Sequence, residues 1–182
     1  MIRRFNRYEL KYLIPVERAR RIIADLGELA TPDAHGGTEG YRVVSLYYDS
    51  PGLDFFWAKI EGIRFRRKLR IRVYPQDGMD TVRDAMVEIK QRVNRTVQKR
   101  RLRLPIDEAG QLCRGEMERD DLDDQDRQVA SEVQYMVAAM HLLPTCITAY
   151  RRRAFEGGKY DAGLRITFDT DELHERVEEL SR

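Results

Sequence analysis

The sequence predicts an α+β fold: an antiparallel β-barrel with helices packed outside it. Two observations carry this expectation. The strand-like runs each alternate charged and apolar residues, and the segments between them repeat apolar residues at helical spacing. Successive side chains of a strand point to opposite faces, so a two-residue alternation separates a core face from a solvated or ligand-bearing one. The clearest run is "RFRRKLRIRVY" (64–74), in which six of the nine residues from Arg64 to Arg72 are Lys or Arg and none is acidic. Arg64, Arg66, Lys68, Arg70, Arg72 and Tyr74 share one face, against Phe65, Arg67, Leu69, Ile71 and Val73 on the other.

Taken in chain order, "FNRYELKYLI" (5–14) puts Arg7, Glu9 and Lys11 opposite Tyr8, Leu10 and Tyr12, the same split, and reads as a first strand. "PVERARRIIADLGEL" (15–29) opens with Pro15 at a first-turn position and repeats Val16, Ala19, Ile22, Ile23 and Leu26 at helical spacing. "YRVVSLYYDS" (41–50) is a β-branched and aromatic run ending in turn residues. A short helix follows in "PGLDFFWAKIEG" (51–62), with Leu53, Phe56, Trp57 and Ile60 as its stripe. After the basic strand, "AMVEIKQRV" (85–93) sets Glu88, Lys90 and Arg92 against Val87, Ile89 and Val93. It turns at Asn94 and returns as "TVQKRRLRLP" (96–105), with Lys99, Arg101 and Arg103 opposite Leu102 and Leu104, a hairpin. "DRQVASEVQYMVAAMHLLP" (126–144) reads as a long helix that stops before Pro144. "CITAYRRRAF" (146–155) pairs Tyr150 with Arg152 on one face, and "GLRITFDT" (163–170) sets Arg165, Thr167 and Asp169 opposite Leu164, Ile166 and Phe168. The tail "DELHERVEELSR" (171–182) reads as helix or coil.

Composition bounds the class. With 182 residues, 42% hydrophobic and 35% charged, the chain suits a single domain over 1–182, too charged for a membrane protein and too apolar for disorder. No apolar run approaches the about 18 residues of a membrane span, and a cytoplasmic setting is the default. Cys113 and Cys146 are isolated from each other and from His35, His141 and His174, so neither a disulfide framework nor a zinc spacing is present. The formal net charge of +2 hides a partition, because residues 116–126, "EMERDDLDDQD", hold seven acids against one arginine. The basic excess lies on the strands.

A barrel that turns such strands charged-face inward brings cations together. Unpaired buried charges cost several kcal/mol each, so the lumen calls for a polyanion, and the geometry suits chained phosphates. The few acids among the bases, Glu88 and Glu9, suit carboxylate ligands of Mg²⁺ or Mn²⁺ bridging phosphate oxygens.

The ordered blocks "YELKY", "SLYYDS", "KLRIRVY", "VEIKQR", "VQKRRLRLP", "YRRRAF" and "LRITFDT" resemble the VTC domain. That is the polyphosphate polymerase module of the vacuolar transporter chaperone family, within the triphosphate tunnel metalloenzymes or CYTH-like proteins. The resemblance runs from Tyr8 to Thr170. It implies an antiparallel triphosphate tunnel that binds ATP or polyphosphate with a divalent metal and transfers the terminal phosphoryl group of ATP onto a polyphosphate chain. Carried onto this sequence, it implies Lys11, Arg70, Arg72, Lys90 and Arg152 as catalytic residues. Lys99, Tyr150 and Arg165 would bind substrate by the same resemblance; Arg101, Arg66 and Lys68 are added to them by their place on the charged strand faces, and Glu88 and Glu9 would ligate metal. Where the superfamily opens with E-x-E-x-K, this chain has Arg7, Glu9 and Lys11, one acid fewer. The family's closing strand, with a metal-binding glutamate in an E-x-K context, has no match before Arg182, so a C-terminally incomplete tunnel with its last strand missing is expected.

The same tunnel could hydrolyse tripolyphosphate or a nucleoside triphosphate, or serve as a non-catalytic polyphosphate or nucleotide sensor. Nucleic acid ranks last, since cationic faces recur on almost every strand instead of forming one open stacking surface. Arg70→Ala and Arg152→Ala are expected to weaken triphosphate binding without unfolding the chain, and Arg67→Ala, on the opposite face, to do much less.

Overall fold

The computed structural model describes residues 10–177 apart from positions 38, 77, 95, 159, 160 and 162. Seven antiparallel strands form one curled sheet, a half-barrel, accompanied by four α-helices. In chain order these are α1 (Val16–Asp25), β1 (Ala30–Pro32), β2 (Tyr41–Asp49), α2 (Asp54–Ile60), β3 (Phe65–Val73), β4 (Asp84–Val93) and β5 (Thr96–Pro105). Then come α3 (Ile106–Arg114), α4 (Asp124–Met140), β6 (Leu143–Gly157) and β7 (Arg165–Arg176).

The long strand β6 organises the sheet. It pairs with β2 and, further along, with β1 on one edge, and with β7 on the other. From β2 the order continues β3, β4, β5. Among the described residues β5, β7 and the three-residue β1 each have one unpaired edge. Register shifts between Tyr47 and Tyr48, and between Ala149 and Arg151, are bulges that add local twist and help to curl the sheet.

The parity split on β3, β4, β5 and β7 is the one the sheet uses. Leu69 and Val73 of β3, Ala85, Val87 and Ile89 of β4, and Leu102 and Leu104 of β5 pack with Leu112 of α3 and with Val133 and Met136 of α4 in the main core. A second cluster joins Ile22, Ile23 and Leu26 to Phe155, Ile166 and Phe168, so α1 covers the β6–β7 end of the same face. Leu102 is 1% exposed. Truncating it to alanine should cost about 2–5 kcal/mol of unfolding free energy, read from urea midpoints. A groove of about 910 Å³ also opens on this apolar face, lined by Val44, Leu46, Ile71, Val73 and Ile147 among others. It is distinct from the charged face.

Two local devices fix the strands that carry the charges. At the end of β2 the buried Asp49 carboxylate accepts hydrogen bonds from the backbone N–H groups of Ser50, Phe55 and Phe56, tying β2 to the start of α2. Between β4 and β5, Asn94 takes a left-handed conformation (φ 54°), which asparagine tolerates, and the tight turn sets Val93 opposite Thr96 and hence Glu88 opposite Arg101.

The structure departs from the sequence reading at four places. Residues 10–14 of the expected first strand have no regular structure, and 1–9 lie outside the described residues. The tail is not helix or coil throughout: β7 continues through 171–176, opposite Cys146–Ala149 of β6. Strand β1 and helix α3 were not anticipated. Yet α3 had its signals, with Pro105 at the cap, Asp107 and Glu108 in the first turn, and Gly115 (φ 76°) ending it.

Candidate phosphate-binding face

The face of the sheet away from the helical core carries the charges, and its centre is buried. Val43, Ser45, Arg72, Glu88 and Tyr150 all lie on this face, each less than a tenth exposed, which is what the inside of a curl gives.

Register explains how the side chains meet. Arg70 of β3 stands opposite Tyr47 of β2 on one side and Glu88 of β4 on the other. Its Nε and Nη2 donate to Glu88 Oε2 at 2.8 and 2.6 Å, and its Nη1 donates to the Tyr47 hydroxyl at 2.9 Å. Lys99, on the diagonal across β5, forms an ion pair with the other oxygen, Oε1. Burial alone would raise the pKa of Glu88, but Arg70 and then Lys99 outweigh it and hold the carboxyl below its ordinary value. A carboxyl depressed in the folded state stabilises above its unfolded pKa, about 4.3, and that contribution is lost as pH falls through the folded value. Stability measured by urea at each pH from 6 to 2.5 should therefore decline on acidification less steeply in Glu88→Gln than in the parent.

One register step along, Arg72 is 7% exposed. Its Nε donates to Ser45 Oγ at 3.0 Å and its Nη2 to the Tyr150 hydroxyl at 3.1 Å. Among the described residues no carboxylate forms an ion pair with it. Lys68 sits over the Tyr47 ring, its Nζ 5.5 Å from the centroid. Burial first, then crowding by Lys59, Lys90 and Arg70, hold this ammonium below the usual lysine value. Tyr47 itself resists ionisation through burial, but Arg70, with Lys68 and Arg72, outweighs that and lowers its pKa.

At the β6–β7 end, Arg152 grips Asp169 through two hydrogen bonds of 2.7 Å and lies 5.1 Å over the Tyr150 ring. Arg165 pairs with the buried Asp33 at 2.7 Å and with Glu156 at 2.9 Å.

Of the residues singled out from sequence, Arg70, Arg72, Lys68, Lys99, Glu88 and Tyr150 thus come together in a connected cluster. Arg152 joins it through Tyr150, and Arg165 forms a separate node. Lys90 and Arg101 are exposed at register positions beside Lys99 and Glu88. Arg66 lines a small pocket of about 310 Å³ with Arg64 and Arg92. Lys11 is exposed in the irregular segment before α1, and Glu9 lies outside the described residues. Sequence reasoning missed Tyr47 and Ser45, the hydroxyls that hold Arg70 and Arg72. Parity on β2 places both on this face, but only register shows which arginine each meets.

The metal expected from the resemblance, Mn²⁺ or Mg²⁺, can be tested against this donor set. No group of three or more His, Cys, Asp or Glu side chains able to hold a metal ion occurs among the described residues. Among the described residues the one carboxylate at the centre, Glu88, has a cation on each oxygen. These residues do not fit a resident divalent ion. Nor is any described helix long and apolar enough to cross a membrane.

A curled antiparallel sheet thus carries cations on the face its helices leave bare. The chain belongs to the VTC domain family, whose description matches residues 6–178. Among solved structures it is similar to HpAC1 from Hippeastrum, a candidate adenylyl cyclase with a dominant triphosphatase activity. The two are 17% identical over 85% of this chain and 68% of that one, with a TM-score of 0.43. A comparison with curated proteins finds no match.

Proposed function

We propose that this chain is an ATP–polyphosphate phosphotransferase, which moves the terminal phosphoryl group of ATP onto the end of a polyphosphate chain held against the charged face. The observation that carries the reading is Arg72, a buried guanidinium that meets two hydroxyls and, among the described residues, no carboxylate. A buried charge of this kind needs an anion to offset its desolvation, and a phosphate chain supplies several. Membership of the VTC family supports the choice of substrate.

In this reading an oxygen of the chain's terminal phosphate attacks the γ-phosphorus in line, the bond to the β-γ bridging oxygen breaks, and ADP leaves. Arg70, Arg72, Arg152 and Arg165 clamp phosphate oxygens, since guanidinium groups bind them bidentately. Lys11, Lys90 and Lys99 act as point charges against the negative charge that builds on the leaving group. Tyr150 orients Arg72 and stacks beneath Arg152. Lys68, Arg66 and Arg101 extend the track along β3 and β5. A cytoplasmic setting, where ATP is at hand, suits this chemistry.

A second reading is triphosphate hydrolysis. It is favoured by the open edges at β5 and β7, which leave the described face accessible to water. Incubation with ATP and Mn²⁺, followed by gel and phosphorus NMR analysis, separates the two. Long phosphate chains with ADP support the transferase; orthophosphate with ADP and no chains would replace it with the hydrolase.

A further inference from the structure

The metal ligand expected at Glu88 and the geometry found there pull in opposite directions. A carboxylate that ligates a divalent cation needs an exposed lone pair and a locally negative field. Glu88 has neither. It is 1% exposed, Arg70 donates twice to Oε2, and the Lys99 ammonium sits on Oε1. Its direct cross-strand neighbours are Arg70 and Arg101, and the next position along its own strand face is Lys90. A free divalent ion would meet cations on both flanking strands and at Lys90.

The arrangement suits another task. To a guanidinium, a carboxylate and a phosphate present the same pair of acceptor oxygens. Arg70 already aims two donors, Nε and Nη2, at one anionic oxygen, with Nη1 fixed by Tyr47, and Lys99 faces the other oxygen. Lys99 is 39% exposed, so it can swing from Glu88 toward an incoming anion.

We propose that Glu88 is a built-in stand-in for substrate, a carboxylate that holds Arg70 and Lys99 in place until a phosphate chain takes them over, so that the face binds phosphate chains without a metal held by the protein. This rests on the phosphate-binding reading above and names how that site is kept ready. Any divalent ion then enters on the phosphate chain. Because Glu88 competes with substrate for the same cations, removing its charge should strengthen binding, where removing a metal ligand would weaken it. Glutamine keeps an acceptor for Arg70 but discards the charge.

The test is calorimetric titration of tripolyphosphate into the full chain in EDTA at low salt. The parent should bind, and Glu88→Gln should bind about tenfold more tightly. Equal or weaker binding by a folded Glu88→Gln would overturn the proposal, as would a parent that binds only when Mn²⁺ replaces EDTA. Either result would leave the phosphate reading standing. A parent that binds under neither condition would instead remove the phosphate reading itself. If circular dichroism shows Glu88→Gln unfolded, electron paramagnetic resonance of Mn²⁺ titrated into the phosphate-free parent decides. The spectrum of free Mn²⁺ should persist throughout, and one ion bound per chain would overturn the proposal.

Discussion

Replacing Arg72 by methionine should leave the chain at least as stable as the parent while weakening tripolyphosphate binding about a hundredfold. Both halves come from the same observation. The guanidinium is buried against Ser45 and Tyr150, hydroxyls that offset only part of the cost of removing a full charge from water. Methionine fills a similar volume, is flexible enough to settle beside the Tyr150 ring, and needs no counter-ion. The two hydroxyls lose a donor, a loss set against the desolvation that is relieved. Phosphate, by contrast, loses the cation best shielded from water, where charge-assisted hydrogen bonds are strongest. Urea unfolding reads the first half and calorimetry the second. A variant several kcal/mol less stable would show that Arg72 is a structural pin.

Arg70→Ala should behave differently, although Arg70 lies on the same face two residues away. It should lower stability by about 3–5 kcal/mol in addition to weakening phosphate binding, because it strips the principal partner from a carboxylate that is 1% exposed. This revises the expectation from sequence that removing one base from a repelling set would spare the fold. Arg70 is committed to Glu88, and the repulsion it contributes is smaller than the attraction lost. The double change Arg70→Ala with Glu88→Ala should recover much of the loss, since no unpaired charge remains. Arg67→Ala serves as the control. Its side chain sits on the other face and donates to Gln91 at 3.1 Å, so tripolyphosphate affinity should stay within about twofold. Equal binding losses at Arg67 and Arg70 would contradict the assignment of faces.

These contrasts mark how far the sequence could be read. On β3, β4, β5 and β7 the two-residue alternation was enough, because each strand buries one face against helices and a slip of one residue would bury charge. Leu69, Ile89 and Leu102 could be assigned to the core, and Arg70, Glu88 and Lys99 to the other side, from parity alone. The extension of β7 through Asp171–Arg176 was not legible. Those residues are mostly charged and exposed, and what makes them a strand is pairing with the long β6. Strand β1 is three residues long, below what periodicity can register. Helix α3 carries its signal in its caps, Pro105 and Gly115, more than in a long apolar periodicity.

At the site, sequence indicates which side chains share a face but not which carboxylate neutralises which cation. Asp169 could be placed on the face of Arg165, yet it grips Arg152 from across the β6–β7 pair, while Arg165 reaches back to Asp33 near β1. Such partnerships depend on register and on contacts between distant parts of the chain. They also separate the roles of the bases: Arg70, Arg152 and Arg165 each have a carboxylate to leave before phosphate can be held, and Arg72 has none among the described residues.

That difference makes Arg72 the sharpest probe of the central claim, that the charged face of this half-barrel is built for a chain of phosphates. The measurement is the calorimetric titration of tripolyphosphate into parent and Arg72→Met chains, side by side. The account predicts one tripolyphosphate bound per parent chain and an affinity about a hundredfold lower in the variant. Undiminished binding by a folded Arg72→Met chain would contradict it.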